Sequence, residues 1–285
     1  MLDSIFYNGR INALDDQNRV YEAVGVSNGR IAALGTDQEL KSYISPRTEV
    51  VDLKGATMFP GFMEAHNHLA IVAYMFDGID LSAKHANKMD DVLSLVKSKV
   101  KKAQPGDWIK GSRYAEYFLT ENRHPTRFDL DQVSPDNPVV LYHTSFHACV
   151  LNSRALEIFD INRESTSPQG GIIEKDADNE PTGVLHDEAM MGVFNQLFIK
   201  DISEMNDREL ADFCHRAALH FASLGLVFAA DALVLPQTLN MYQVALDAGK
   251  LPIRIYPMNY VNRRGSFRFT DQNRVRLAQA AHRSH

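Results

Sequence analysis

The chain has 285 residues, of which 45% are hydrophobic and 23% are charged, as is typical of globular domains. Its net charge of −6 and its pI near 6.0 argue against a nucleic-acid partner or an anionic membrane surface. Cys149 and Cys214 form no disulfide framework, so we expect a reducing compartment, the cytoplasm. The sequence has neither a basic leader nor a long apolar run, so we expect neither a signal peptide nor a membrane helix.

Residues 1–56 contain brief apolar runs separated by the hairpin signals Asn8-Gly9 and Asn28-Gly29. The predicted strands are 4–7, 11–14, 23–27 and 30–34. This pattern favours a plain β-meander, and it carries no residues that we connect to chemistry.

The next part of the chain mixes strand and helix patterns. The predicted strands are 57–62, 108–111, 138–142 and the edge strand 172–174, and the predicted helices are 89–103 and 151–159. No internal repeat or low-complexity linker interrupts this region.

The clearest helix spans 206–224, where Asn206 and Glu209 form a capping-box pattern and Gly225 is a stop signal. It is followed by a buried-type strand at 227–233, a helix at 236–248 and a strand at 251–261. This order and spacing predict a right-handed parallel βαβ unit.

Two histidines, His66 and His68, end the apolar stretch that contains Pro60-Gly61. In a strand, residues i and i+2 point to the same face, whereas a helix would place them on different faces. Two imidazoles on one face at a strand end can bind a single metal ion. The pattern alone is weak, since a chain with 11 histidines contains such pairs by coincidence.

The segment from Pro60 to His68 resembles the strand-one motif of the metal-dependent amidohydrolase superfamily, Pro-Gly-apolar-apolar-acid-x-His-x-His. Residues 29–35 and 51–55 resemble the short strands that precede the barrel in that superfamily. Other segments resemble its amidohydrolase-3 or YtcJ-like branch, which includes N-substituted formamide deformylases: Leu130-Asp131, 138–141, His147, Asn152-Ser153-x-Ala155-Leu156, 170–173 and 181–185. The similarity runs from about Asn8 to about Tyr260.

The resemblance implies an α/β fold with two parts. Residues 1–56 would be the N-terminal part of a small β-sandwich, and 57–261 would begin a TIM-like (β/α)8 barrel with an insertion at about 104–200 after strand one. Only three barrel strands can be counted and 262–285 form an atypical tail, so we expect an incomplete barrel, the front half of an enzyme. We expect the 285-residue chain to be inactive on its own. Whether that tail is an altered reading frame or a native end stays open.

The resemblance also implies a divalent metal cofactor, with Zn²⁺ favoured over Fe, Ni or Mn, and one or two ions in the complete enzyme. The superfamily takes its ligands from the His-x-His pair, a lysine or glutamate after strand four, histidines after strands five and six, and an aspartate after strand eight. This sequence supplies His66 and His68. The catalytic aspartate is not visible in this chain.

Five further residues are candidates for supporting the metal or lining the substrate pocket. Glu64 shares the strand face of His66 and is expected to orient an imidazole, unless it is a simple strand-end carboxylate. By resemblance, His147 and Asn152 belong to a His-x4-Asn-Ser element near the pocket, although a buried structural histidine is the alternative. Tyr114 replaces a tryptophan of the branch and is expected in the pocket wall. Asp231 is expected at the barrel top or, alternatively, as a helix cap or loop anchor.

The other eight histidines and both cysteines show no spacing typical of a site. Two hypotheses follow. The first is a metal-dependent hydrolase of carbon–nitrogen, non-peptide bonds in amide- or formamide-like small molecules; an imidazolonepropionase- or dihydroorotase-like activity is an alternative that the elements at 138–185 disfavour. The second is an inactive amidohydrolase fragment or a non-catalytic oligomer partner, which would bind metal weakly and be unstable or self-associated. A homo-oligomer is left open in either case.

Overall fold

The computed structural model describes residues 1–259. The predicted tail at 262–285 and the end of the predicted strand at 251–261 lie outside them. Two compact units are present. Unit 1 comprises Met1–Met63 with Gly225–Val227, and unit 2 comprises Glu64–Leu224 and the described residues from Phe228 onward.

Unit 1 contains short strands arranged in two sheets and one short helix. These elements are β1 (Ser4–Tyr7), β2 (Arg10–Asn12), β3 (Val20–Tyr21), β4 (Ala23–Ser27), β5 (Arg30–Gly35), α1 (Asp37–Lys41), β6 (Glu49–Asp52) and β7 (Thr57–Met58). One sheet has the order β5-β4-β1-β6 and the other β3-β2-β7.

The predicted plain meander is wrong for this unit, because β1 is parallel to β6 and β2 is parallel to β7. Parallel neighbours need a crossover. The segment containing α1 provides it, and the capping box between Thr36 and Glu39 fixes the start of that helix. Leu2, Ile5 and Leu40 are buried in the small core beneath. That the two sheets belong to a β-sandwich stays a prediction.

Unit 2 contains a six-stranded sheet in the order β13-β14-β12-β11-β10-β9. Its strands are β9 (Ile79–Asp80), β10 (Ile109–Tyr114), β11 (Val139–His143), β12 (Ala148–Leu151), β13 (Gly171–Lys175) and β14 (Pro181–Asp187). The first three are parallel and the rest pair antiparallel. β13 lies at the edge, as the sequence predicted, and most of the sheet falls in the region predicted as an insertion.

Helices surround this sheet: α3 (Met89–Val100), a 3₁₀ turn (Glu116–Phe118), α4 (Arg127–Asp131), α5 (Ser153–Ile158) and α6 (Glu188–Glu204). The apolar face of α3 supplies Val92 and Val96 to a core that also contains Ile109 and Leu141 of the sheet. This core also contains Tyr114, at the end of β10.

A further sheet, most of whose residues belong to unit 2, has the order β16-β15-β8, formed by β8 (Phe62–Asn67), β15 (Leu226–Val234) and β16 (Arg254–Asn259). β15 and β16 lie where barrel strands were predicted, whereas the predicted strand at 57–62 is divided: Thr57–Met58 pairs with β2 as β7, and β8 begins at Phe62. β15 and β16 are parallel and joined by α8 (Pro236–Asp247), so the predicted βαβ order is confirmed. Closure into a (β/α)8 barrel stays a prediction.

Two helices adjoin the strands of this sheet along the chain: α2 (Leu69–Met75) follows β8, and α7 (Asp207–Ser223) precedes β15. The predicted capping box at Asn206 and Glu209 is present, and Gly225 follows the helix at φ +85°. Within residues 1–259 we find no helix with the length and apolar character needed to cross a membrane.

Candidate metal centre

The two predicted metal ligands lie together at the end of β8. His66 is in the strand and His68 is the residue before α2. Their ring centroids are 5.3 Å apart and the rings are nearly perpendicular, at 81°. The structure therefore brings the two imidazoles into contact, as the i, i+2 spacing predicts.

Asp231 lies behind His68 and is fully buried. Its Oδ1 atom is 3.7 Å from Nδ1 of His68 and accepts a hydrogen bond from the backbone N–H of Leu233 at 3.1 Å. Its Oδ2 atom accepts hydrogen bonds from the Tyr242 hydroxyl and from the backbone N–H of Ala70 at 3.4 Å. The carboxylate thus joins β15, α8 and the start of α2 next to a predicted metal ligand.

The surroundings of Asp231 are apolar. Burial, together with the adjacent carboxylate, raises the pKa of Tyr242 well above its usual range, so this hydroxyl stays a donor. The same two causes raise the pKa of Cys214 to about 12, which makes this buried thiol a packing residue. Asp231 therefore holds its position through fixed donors.

Some polar atoms next to His66 and His68 have no hydrogen-bond partner among the described residues. Nδ1 of His68 is too far from Asp231 for a hydrogen bond. Within residues 1–259 this atom and both amide atoms of Asn67 are buried without hydrogen-bond partners. Because such groups are rare in folded proteins, their presence fits a functional site.

Two imidazoles suit Zn²⁺ and other divalent transition metals. In the part of the chain that the structure describes, no group of three or more His, Cys, Asp or Glu side chains is placed to hold a metal ion. His66 and His68 therefore fit a metal as part of a ligand set.

Glu64 does not contact either imidazole through a hydrogen bond. Its Oε1 atom accepts from the backbone N–H of His66 at 3.0 Å. The expected role in orienting an imidazole is therefore corrected: the side chain folds back onto its own strand and binds the main chain there.

His147 lies in the turn between β11 and β12, and its side chain is 77% exposed, so it is not the buried structural histidine of the alternative reading. Nδ1 of His147 is 2.8 Å from Oδ1 of Asp187. No spacing in the sequence indicates this partner, which comes from the end of β14.

Asn152 is separate from that pair and fully buried. Its Oδ1 atom accepts from the backbone N–H groups of Val139 and Ala155, and its Nδ2 atom donates to the carbonyls of Ser134 and Asn137. All hydrogen-bonding positions of the amide are used. The expected pocket role is corrected: Asn152 caps α5, as its position before the helix also predicted.

Tyr114 is likewise fully buried in the core of the sheet, so it presents no surface to a substrate, and the expected pocket-wall role is corrected. Its hydroxyl is 3.0 Å from Nδ1 of His124. A polar cluster that sequence spacing did not reveal lies here, since Nε2 of His143 is 2.9 Å from Oε2 of Glu116. Burial lowers the pKa of His124 and of His143, and Glu116 opposes this only in part.

A family model for the Amidohydro_3 group, described as the amidohydrolase family, matches residues 49–280. The chain belongs to this amidohydrolase family. The match includes His66, His68, His147 and Asp231. It also continues to residue 280, beyond the point near residue 260 where the sequence resemblance was expected to stop.

Two curated relatives are similar over most of the chain. N-substituted formamide deformylase of Arthrobacter pascens is 34% identical over 259 residues, which cover 91% of this chain and 48% of that protein. Putative amidohydrolase YtcJ of Bacillus subtilis (strain 168) is 37% identical over 264 residues, covering 90% and 48%. The chain thus spans about half the length of these relatives.

Two solved structures share the fold of this amidohydrolase. An uncharacterized metal-dependent hydrolase from Pyrococcus horikoshii OT3 is 22% identical with a TM-score of 0.61, covering 89% of this chain and 48% of that one. Another from Pyrococcus furiosus is 24% identical with the same TM-score, covering 90% and 50%.

Proposed function

We propose that this chain contributes the first two metal ligands of a metal-dependent hydrolase that cleaves carbon–nitrogen, non-peptide bonds of amide- or formamide-like small molecules. The observation that carries the proposal is the contact between His66 and His68, backed by the buried carboxylate of Asp231. The relative that is named an N-substituted formamide deformylase supports the substrate class.

His66, His68 and Asp231 have different roles in the proposed metal site. His66 and His68 would hold a divalent metal, with Zn²⁺ favoured by the imidazole ligands. When bound, such a metal supplies a Lewis acid that polarises a carbonyl oxygen. Asp231, held by Tyr242, is a fixed carboxylate 3.7 Å from Nδ1 of His68, and Nε2 of that ring would be the ligand atom.

The compartment belongs to the proposal as well. Cys149 and Cys214 are both buried as free thiols. Burial also raises the pKa of the Cys149 thiol, which makes it unreactive. This use of cysteine supports a reducing compartment such as the cytoplasm.

The alternative is a non-catalytic oligomer partner. It is favoured by the large apolar side chains at β8, because Phe62 is 54% exposed and Met63 is 70% exposed. Because β8 stands at the end of the strand order β16-β15-β8 and exposes apolar side chains, it is a strand on which another chain could pair. Sedimentation velocity of the chain separates a monomer from a self-associated species.

Metal binding and hydrolysis test the proposal on the 285-residue chain. Co²⁺ reports its ligands in the visible spectrum, and competition with Zn²⁺ gives the affinity. We expect His66→Ala and His68→Ala each to weaken binding by at least about tenfold, while His85→Ala, at an exposed histidine outside the pair, leaves it unchanged.

Release of amine from an N-substituted formamide is measured on the same metal-loaded samples. Turnover that is lost in both histidine variants supports the hydrolase. Metal binding that is unaffected by both variants overturns the metal assignment. Tight metal binding through the pair without amine release is the result expected of a chain that supplies the first two ligands and is inactive on its own.

A further inference from the structure

Three imidazoles from different segments of unit 2 meet beside the ends of β10, β11 and β14. We call His124, His143 and His186 the histidine cluster. The ring centroid of His124 lies 5.9 Å from that of His143 and 5.9 Å from that of His186. Imidazoles this close repel one another once they are protonated. The cluster therefore couples three segments through the charge of their side chains.

Two carboxylates face the histidine cluster. Oε2 of Glu116, in the 3₁₀ turn, lies 2.9 Å from Nε2 of His143 and 3.8 Å from Nδ1 of His124. Oε2 of Glu174, in β13, lies 3.5 Å from Nε2 of His186. Three imidazoles thus share two carboxylates, so the carboxylates cannot neutralise a cluster that is fully protonated.

The other titratable groups around the cluster do not supply a further negative charge. The Tyr114 hydroxyl in β10 and the Cys149 thiol in β12 keep their protons, because burial raises the pKa of both groups. Next to His124, the guanidinium of Arg123 is already paired with Asp129 through hydrogen bonds of 2.7 and 2.9 Å. Positive charge on the imidazoles is therefore answered by the two carboxylates of the cluster alone within the described residues.

The members of the cluster differ in how freely they can move. His143 ends the central strand β11 and its side chain is only 9% exposed. Its Nδ1 accepts from the backbone N–H of Ser145 at 3.1 Å, which places the proton on Nε2, toward Glu116. His124 lies instead on the loop 119–126, is 24% exposed and contacts the Tyr114 hydroxyl at 3.0 Å. It is the member that can turn into water.

Proton uptake opposes the packed cluster. Burial lowers the pKa of His124 and of His143, and the charge of neighbouring imidazoles lowers both further. A group whose pKa is lowered by packing favours that packing above its ordinary pKa, about 6.5 for histidine, and disfavours it as pH falls below. Exposure of one imidazole to water relieves both causes.

The loop that carries His124 also holds the start of α3. Oε2 of Glu121 accepts from the backbone N–H of Met89 at 2.9 Å, and the N–H of Thr120 donates to the carbonyl of Asn87 at 2.9 Å. In the described structure Lys88, the residue before α3, makes no cap bond through its own side chain. Glu121 therefore supplies a side-chain acceptor that this helix start needs.

We infer that the histidine cluster is a pH-sensitive switch in which the loop 119–126 opens when His124 takes up a proton. The His124 ring leaves the Tyr114 hydroxyl and the other two imidazoles for water. Because the same loop carries Glu121, its opening also frees the first turn of α3. The switch lies outside the candidate metal centre and does not depend on the proposed function.

Imidazole titration by NMR tests the coupling within the cluster. The Cε1–H signals of the 285-residue chain, assigned by their loss in single His→Gln variants, are followed from about pH 5 to about pH 8. We expect His124→Gln to raise the pKa of His143, because a like charge is removed, and Glu116→Gln to lower it. His85→Gln, at an exposed histidine outside the cluster, should leave it unchanged.

Hydrogen exchange, corrected for its intrinsic pH dependence, tests the opening. In the wild type we expect exchange at 119–126 and in the first turn of α3 to rise by up to about tenfold per pH unit below about pH 6.5, as uptake of one proton requires. The exposed turn at 176–179 is the internal control and should not respond. His124→Gln should abolish the rise in both segments while circular dichroism shows that it is folded.

Exchange at 119–126 that does not respond to pH in the wild type, or that responds equally in His124→Gln, overturns the switch. A pKa of His143 that is the same in the wild type, His124→Gln and Glu116→Gln overturns it as well, because the imidazoles then titrate independently. Opening of the loop without any change in α3 overturns the link through Glu121.

Discussion

The carboxylate of Asp231 lies 3.7 Å from Nδ1 of His68 and is held there by donors from three segments. Because Asp231 is fully buried, moving it would break the hydrogen bond from Tyr242 inside an apolar environment. The imidazole therefore has a fixed neighbour on one side and is free to bind on the other. This is how outer partners tune a metal ligand.

Replacing Asp231 by asparagine should weaken divalent-metal binding by about 10- to 100-fold, because an amide nitrogen cannot accept the hydrogen bonds that hold this side chain 3.7 Å from Nδ1 of His68. Tyr242→Phe removes one donor to the carboxylate and should have a smaller effect. Both are measured by Co²⁺ and Zn²⁺ titration, with circular dichroism to confirm folding. If the Asp231→Asn protein folds and binds metal with wild-type affinity, the carboxylate only holds the backbone of Ala70 and Leu233 in place and does not affect the metal ligand.

Much of the fold could be predicted where local signals and burial agree. The capping box at Asn206 and Glu209, the stop at Gly225 and the alternation of strand and helix after it appear in the structure. The meander prediction failed because hairpin signals say nothing about which distant strand lies beside β1. That pairing depends on the crossover through α1.

In the candidate site, too, local features could be predicted from the sequence and contacts between distant segments could not. The contact of His66 with His68 follows from strand geometry, which a sequence displays directly. The partnership of His147 with Asp187 depends on a turn and a helix start meeting in space, and no spacing encodes it. For Asn152 the motif predicts a pocket role and the position before a helix predicts a cap, and the structure shows the cap.

Asn152→Ala should destabilise the fold by about 2–3 kcal/mol, because it removes a helix cap and leaves buried backbone groups without partners. Urea unfolding followed by circular dichroism measures this. Asn162→Ala, in an exposed loop, should change stability by less than about 0.5 kcal/mol. A stable Asn152→Ala protein with weakened formamide binding would instead restore the pocket role.

Acidification should destabilise the protein through His143. Burial lowers the pKa of this imidazole in the folded state, and His124 and His186 add to that effect against Glu116. The unfolded chain then binds more protons, so the free energy of unfolding rises with pH. The contribution is complete above the unfolded pKa of about 6.5 and is lost as pH falls below it.

Thermal unfolding between about pH 5 and about pH 8 checks this prediction. His143→Gln should flatten the pH dependence of Tm. His85→Gln, at an exposed histidine, should follow the wild-type curve. If His143→Gln and the wild type lose stability in parallel on acidification, other groups govern the effect.

Two glycines should respond to alanine in opposite directions. Gly183 in β14 has φ +96°, and a Cβ atom there would overlap the carbonyl oxygen of Leu151 and approach the backbone nitrogen of Arg127 at 3.0 Å. Gly183→Ala should therefore destabilise by at least about 2 kcal/mol. Gly192 lies inside α6 with open space around its Cβ position, so Gly192→Ala should stabilise by about 0.5–1 kcal/mol. Urea unfolding measures the free energy of unfolding of both variants. A change of the same sign in both would contradict either the positive φ of Gly183 or the open helical position of Gly192.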